Sequence, residues 1–296
     1  MQYFYEGIIQ KCDGIVSPEM CSWGGQGCFD YVPAVVRIKE FAAVMVAVVI
    51  LYFYFEVSSN INKILSDASK RITAYEKQVK SEGSSFYSIF NKLFSILFMI
   101  MFIMIVYYKF NVKALLFTLQ PCHLMLFFQS ICLWKRSPVG VLFSILLMPT
   151  LVGTLLASVF PDTSGLDQPL EELSYWVQHF FIQVMPFYLI CKDNFMVLKM
   201  ITNSYILIGV WFLLVLHWPI FDFLDSISLV NINFMLCPTK AMLFAFTLLP
   251  PWVMYPSYRT AMFFLMQFGA YLMAYFYMFI CLLFKFILED KKIKDE

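Results

Sequence analysis

Apolar residues in this chain come in long unbroken runs separated by short polar stretches, not in the one-sided stripes of soluble helices. Seven runs reach the roughly 20 residues needed to cross a hydrocarbon core of about 30 Å. They lie near 36–56, 90–108, 112–134, 139–160, 172–191, 198–218 and 261–286. In lipid, a segment must satisfy its own backbone, which leaves a helix or a closed barrel, and the runs lack the dyad alternation of barrel strands. The pattern predicts an all-α, polytopic transmembrane helical bundle of about seven spans. An eighth run, "AMLFAFTLL" from Ala241, is too short to cross and ends at Pro250-Pro251, so it reads as interfacial or re-entrant.

The polar stretches divide the chain into a tail over 1–34, one transmembrane bundle over 35–287 and a short tail over 288–296. Within the bundle, 57–89 reads as a solvated loop, with Ser58-Ser59 and "SEGSS" at 81–85 and some helix between Ile61 and Lys80. The longest loop on the opposite side is 219–260. No repeat of fixed period, Gly-rich phosphate loop, G-x-S-x-G elbow or H-E-x-x-H pair interrupts the pattern.

Composition agrees with the membrane reading: 61% of 296 residues are hydrophobic and the mean hydropathy is +0.74. With 21 Lys+Arg against 20 Asp+Glu, the chain as a whole has no bias toward nucleic acid, so charge informs only by position. Seven spans place fourteen basic residues on one side, among them Lys63, Lys70, Lys135, Lys192 and Lys292, and seven on the other. Cytosolic loops carry the Lys/Arg excess, which predicts a lumenal N-terminus and a cytosolic C-terminus. The first 33 residues hold no uninterrupted apolar stretch of signal-peptide type, so the first span is expected to act as its own insertion signal. That topology sets Cys12, Cys21, Cys28 and Cys237 on the oxidising side, where one or two disulfides are expected, with pairing open. Cys132, Cys191 and Cys281 fall in or beside spans and read as small packing residues.

The candidate chemistry begins with "LQPCHLM" at 119–125, a proline, a thiol and an imidazole inside an apolar run. Pro121 is expected to kink a continuous helix beside the thiol by displacing the Phe117 carbonyl. All three histidines, His123, His179 and His217, lie in predicted spans, and ionisable residues there are functional candidates that face the bundle interior. Entering from the lumenal side, Cys122 lies about 15 Å deep and His179 about 12 Å at 1.5 Å per residue, so the two can meet at one level. His123 is about 100° around the helix from Cys122, which predicts that the base for the thiol comes from another helix. Tyr175, His179 and Gln183 recur at four-residue spacing and form a polar stripe that must face protein or water. Asn231 and Asn233 follow the sixth span as candidates for an oxyanion or headgroup contact, with turn formation as the alternative.

At these residues the chain resembles the transmembrane protein 164 family of polytopic membrane acyltransferases. The resemblance rests on "LQPCHLM", on "LEELSYWVQHFFIQVMPFYLI" at 170–190, on "VNINFMLCP" at 230–238 and on Pro251-Trp252, and covers roughly residues 35 to 285. It departs near the last span, where the vertebrate pattern has histidines and this chain has Thr260 and Phe268. The resemblance implies that Cys122 accepts the acyl group with His179 as its partner. It further implies transfer of a polyunsaturated chain from a phospholipid donor to a lysophospholipid acceptor, a lyso-ether-phospholipid, within the bilayer, without a cofactor or metal. A thiol in apolar surroundings is a weak nucleophile, so a partner imidazole is needed to generate thiolate. His123, Tyr175, Gln183, His217, Asn231 and Asn233 are then supporting candidates.

Other classes stay open. An intramembrane lipid ester hydrolase would use the same thioester with water as acceptor, or zinc on His123, His179, His217 and Cys237, whose donor types suit that metal. A seven-span receptor is weakened because neither an Asp/Glu-Arg-Tyr nor an Asn-Pro-x-x-Tyr signature is present. The ending "KIKDE" resembles a dilysine retrieval signal, with Lys292 and Lys294 fifth and third from the end, which predicts residence in the endoplasmic reticulum.

Overall fold

Where backbone groups cannot reach water they bond to one another, and the described residues are accordingly helical, with one antiparallel bridge between Gly24 and Val230. The computed structural model describes residues 24–82, 86–135, 137–163, 165–191, 203–239, 242, 247–248, 250 and 257–294. The helices are α1 (Gln26–Asp30), α2 (Ala34–Tyr54), α3 (Val57–Glu82), α4 (Phe86–Asn111), α5 (Pro121–Trp134), α6 (Pro138–Leu146), α7 (Leu151–Val159), α8 (Glu171–Cys191), α9 (Asn203–Val215), α10 (Phe223–Ser228) and α11 (Tyr258–Lys294). Two stretches, Ile89–Asn111 and Ile206–Ser228, are long and apolar enough to cross a membrane, with mean hydropathies of 2.4 and 1.9. The bent pair Ala34–Tyr54 and Val57–Ala74, angled by 56°, makes a third if counted as one. The protein is an all-α membrane protein.

Three expected elements take a different form. The run 112–134 is not one helix: a tight turn over Leu115–Leu119 precedes Gln120, whose extended backbone (φ −53°, ψ 140°) leads into α5 with Pro121 at its first position. Pro121 therefore starts a helix instead of kinking one, since the N–H it lacks has no partner at that position anyway. The run 139–160 breaks at Pro149 into α6 and α7, and the Leu147 carbonyl accepts from both the N–H and the hydroxyl of Thr150, at 2.9 and 2.6 Å. The sixth run continues past 218 through a wide turn, Leu216–Asp222, into α10, so the loop expected from 219 begins only at Leu229, which turns with φ +59°. The stretch read as a solvated loop is helical over Val57–Glu82, and its apolar face, Val57, Ile64, Ala68 and Ile72, is buried in the bundle.

Helix pairs are joined by polar links that lipid cannot compete for. Ser95 and Ser130 exchange hydroxyl-to-carbonyl bonds of 2.7 and 2.9 Å between α4 and α5. Gln129 of α5 donates to the Ile182 carbonyl of α8 at 3.3 Å. The end of α4 is stapled to the start of α8: Lys109 pairs with Glu171 at 3.3 Å, Tyr108 donates to the Pro169 carbonyl at 3.0 Å, and Gln168 donates to the Tyr108 carbonyl at 2.9 Å. Around these links Phe98, Met125, Leu126, Leu147 and Ile182 form one apolar core, and Trp218, Phe221, Val230 and Ile232 a second. Gly209 lets α9 close on the break in the preceding run, since a Cβ there would meet Pro149 at 2.8 Å. A disulfide, Cys28–Cys237, ties α1 to the loop after α10. Beside it Gly24 (φ +131°) passes so near the Leu229 carbonyl that a side chain would collide with it. Cys12 and Cys21 lie outside the described residues, as does most of the run from Ala241.

Candidate functional site

Six residues singled out in the sequence line a single cavity of about 580 Å³: Cys122, His123, Tyr175, His179, His217 and Asn233. They come from the start of α5, the first half of α8, the turn after α9 and the loop after α10. The staple between α4 and α8 fixes the level at which His179 stands. The helix start at Pro121 fixes the thiol.

Cys122 is the second residue of α5 and half-buried, and the His123 N–H donates to the Gln120 carbonyl at 2.9 Å. Its sulfur lies 4.0 Å from Gln120 Oε1. Backbone N–H groups at the first turn of a helix carry a positive partial charge, so this end favours a thiolate or an oxyanion.

Each histidine ring has Nδ1 2.7 Å from a backbone carbonyl: His123 at Phe117, His179 at Tyr175 and His217 at Leu213. A carbonyl only accepts, so Nδ1 is the protonated nitrogen of each neutral ring and Nε2 holds the lone pair. The three differ at that second nitrogen. Nε2 of His217 accepts from the Asn233 carboxamide at 2.5 Å. Nε2 of His179 and of His123 has no hydrogen-bond partner among the described residues, and both rings are wall residues of the cavity. His123 therefore shares the cavity with Cys122, whereas its position around the helix predicts that it turns away. The Phe117 carbonyl holds the ring back over the preceding turn.

The polar stripe of α8 divides into different duties. The Tyr175 hydroxyl donates to the Ala157 carbonyl of α7 at 2.7 Å, and its ring lies 4.2 Å from that of His179. Gln183 is not on the cavity wall; its Nε2 donates to the Thr154 carbonyl at 3.3 Å and to Ser158 Oγ at 3.1 Å, bridging α8 to α7. Asn231 is also off the wall and fully buried. Its Oδ1 accepts from the N–H groups of Leu236 and Cys237 at 2.8 and 3.3 Å, and its Nδ2 donates to the Cys237 carbonyl at 2.9 Å. It is a loop knot beside the disulfide, whereas its neighbour Asn233 reaches the cavity.

Two basic residues on the wall were absent from the sequence reading as site residues. Lys109 stands there with Glu171 behind it. Arg259, the second residue of α11, lies 2.9 Å from Asp222 and 3.5 Å from Glu40. Glu40 also accepts from Ser257 and, at 2.6 Å, from Thr260. Gln178, one residue before His179 in the stretch that carries the family resemblance, is buried but not on the wall. Charge near a span end reads as a topology anchor.

The zinc alternative loses a donor, because Cys237 is bonded to Cys28. Among the described residues no group of three or more His, Cys, Asp or Glu side chains is arranged to hold a metal ion.

Comparison with known proteins adds to this geometry. A family model described as the TMEM164 family matches residues 32–271. The chain is similar to the Transmembrane protein 164 homolog of Dictyostelium discoideum, with 30% identity over 128 residues, 43% of this chain and 45% of that protein. That match spans less than half the length of the curated relative. No solved structure matches the chain.

Proposed function

The chain belongs to the TMEM164 family, and on that premise we propose that it is a membrane phospholipid acyltransferase working through a thioester on Cys122. One observation carries the reading: a thiol at a helix start shares an apolar-walled cavity with an imidazole whose Nε2 is open and whose Nδ1 is fixed. In the cycle, Nε2 of His179 takes the thiol proton and the sulfur attacks the carbonyl carbon of a donor phospholipid ester. The ester C–O bond breaks, and the departing lysophospholipid oxygen takes the proton from His179. The acceptor hydroxyl then attacks the thioester, its proton passes to His179 and on to the sulfur, and the C–S bond breaks. Wall residues such as Phe160, Met262 and Phe263 suit an acyl chain.

The proposal includes an ether-type lysophospholipid acceptor, a polyunsaturated acyl group and the endoplasmic reticulum membrane, in a bundle crossing seven times with the N-terminus lumenal. The Cys28–Cys237 disulfide supports an oxidising compartment for that end of the molecule. The test is to incubate purified protein in nanodiscs with a phosphatidylcholine carrying a labelled acyl chain. Label on Cys122, chased onto a lyso-ether-phospholipid, supports the reading. Release of free fatty acid alone would make the protein a hydrolase.

A further inference from the structure

In a membrane helix the outer face and a cavity wall are both apolar, so composition does not separate them, and residues that belong to both surfaces mark an opening between them. On α7, Leu155 and Val159 are exposed and off the wall of the Cys122 cavity, whereas Leu156 and, just past the helix end, Phe160 are exposed and on it. On α11, Phe264 and Phe268 are exposed and off the wall, and Leu265 is exposed and on it. Leu156 and Leu265 are 38% and 40% exposed. Large apolar groups left bare in this way are what hydrocarbon covers in a membrane protein. The two helices are antiparallel neighbours: α9 meets Pro149 at Gly209 and Tyr271 at Ile206 and Val210, and a Cβ on Gly269 would meet Val152 at 2.8 Å. Four residues from that contact, forward on α7 and back on α11, stand Leu156 and Leu265, each about 6 Å further along its helix axis. From behind, α7 is held to α8 by the bonds of Tyr175 and Gln183 to the Ala157 and Thr154 carbonyls. Parting the seam with α11 breaks neither.

We propose that the seam between α7 and α11 is a side entrance from the bilayer, through which a fatty acyl chain of a membrane phospholipid passes Leu156 and Leu265 to lie in the cavity. That this chain belongs to the ester attacked by the Cys122 thiol rests on the acyl-transfer reading above; the route itself does not. Every methylene that crossed water on its way to an enclosed site would lose favourable burial, and a side entrance avoids that loss. Inside the seam the chain meets Phe160, Met262 and Phe263 on the wall, so it exchanges one hydrocarbon surface for another. The close contact of Val152 with Gly269 shuts the seam at one end. A gap bounded by a closed helix contact is narrow, which suits a single chain and not a helix or a second copy of the protein.

The test reads entry from the rate at which Cys122 is labelled in nanodiscs by two maleimides that share a reacting group, N-ethylmaleimide supplied from water and N-dodecylmaleimide dissolved in the bilayer. Mass spectrometry locates the label. Leu156→Trp and Leu265→Trp fill the seam, while Leu155→Trp and Phe264→Trp place the same ring on the outer face beside it. The expected result is N-dodecylmaleimide labelling slowed about tenfold or more by the seam variants, with N-ethylmaleimide labelling within about twofold of wild type and the outer variants unaffected toward both. Leu265→Ala, which widens the gap, should speed N-dodecylmaleimide labelling. Acylation by a labelled long-chain phosphatidylcholine should slow in parallel with N-dodecylmaleimide. Equal slowing of both maleimides in the seam variants would overturn the inference, because it would mean a distorted site. Unchanged N-dodecylmaleimide labelling in both seam variants, or equal slowing by the outer ones, would overturn it as well. A thiol that takes N-dodecylmaleimide with the expected dependence on the seam, yet is never acylated by any phospholipid, would leave the side entrance standing and sink the acyl-transfer reading.

Discussion

The Asn233 carboxamide donates to Nε2 of His217 across 2.5 Å, while Nδ1 of the same ring is bound to the Leu213 carbonyl. Both nitrogens of His217 are thus occupied, and it cannot accept a proton from a substrate without first losing Asn233. It is expected to shape the cavity, not to act as the base. His217→Ala and Asn233→Ala should each lower acyl transfer by about tenfold or less, and the double variant should match the single ones, since the pair acts as one unit. Steady-state rates in nanodiscs check this; a loss from His217→Ala as large as that from His179→Ala would reassign the base.

Cys122 and His179 should behave differently from that pair. Removing either one abolishes thiolate attack, so Cys122→Ala, His179→Ala and the double variant are expected to fall to nearly the same residual activity, at least about 1,000-fold down. Additive losses, or full transfer by Cys122→Ala, would contradict the proposed cycle. A thiol-directed probe read by mass spectrometry gives the same answer without substrate: label on Cys122 should be weaker in His179→Ala.

Reduction of Cys28–Cys237 should destabilise the protein and disturb the site together. The bridge closes a span of 209 residues and anchors the loop in which Asn231 bonds Leu236 and Cys237 and Asn233 reaches the cavity. A loss of about 2–4 kcal/mol is expected, seen as a lower Tm in detergent after reductant. Cys28→Ser, Cys237→Ser and their combination should be equivalent to one another.

Gly209 offers a test of packing alone. A methyl group there meets the Pro149 ring at 2.8 Å, and a ring cannot swing aside as a flexible side chain would. Gly209→Ala is expected to cost about 1–3 kcal/mol through overpacking, despite the better helix propensity of alanine. A raised Tm for this variant would show that α9 and the break at Pro149 do not pack as described.

The residues of the site were more legible in the sequence than the backbone that carries them. Cys122 and His179 stand out because a thiol and an imidazole are rare and costly in apolar runs, and rarity is visible one residue at a time. Pro121 was open to two readings: inside a continuous helix it kinks, at the first position it begins one. The run around it is apolar from end to end, so hydropathy favours the first. What decides for the second is the turn at Leu115–Leu119 and the extended Gln120, a local geometry that composition does not encode. Asn231 and Asn233, two residues apart, look alike in sequence, yet one ties the loop and the other reaches His217. Lys109 and Arg259 appeared as charges to be counted by side, because their partners lie 62 residues away for Lys109, and 37 and 219 for Arg259. No local window holds both members of such a pair.

The carbonyl of Tyr175 occupies, toward His179, the place that a carboxylate holds in Ser-His-Asp triads: it accepts the hydrogen bond of Nδ1–H and sets the ring. A peptide oxygen can do this without bringing a formal charge, and it comes from the helix that bears the histidine, four residues back. A buried aspartate at that point would need its own counterion in a medium that hydrates nothing. With a backbone acceptor, the thiol, the imidazole and its orienting group are all electrically neutral at rest. Charge separates only when the proton leaves sulfur, and it disappears again when the proton goes to the leaving oxygen. The reacting groups thus add no permanent ion to those the cavity wall already pairs, Lys109 with Glu171 and Arg259 with Asp222.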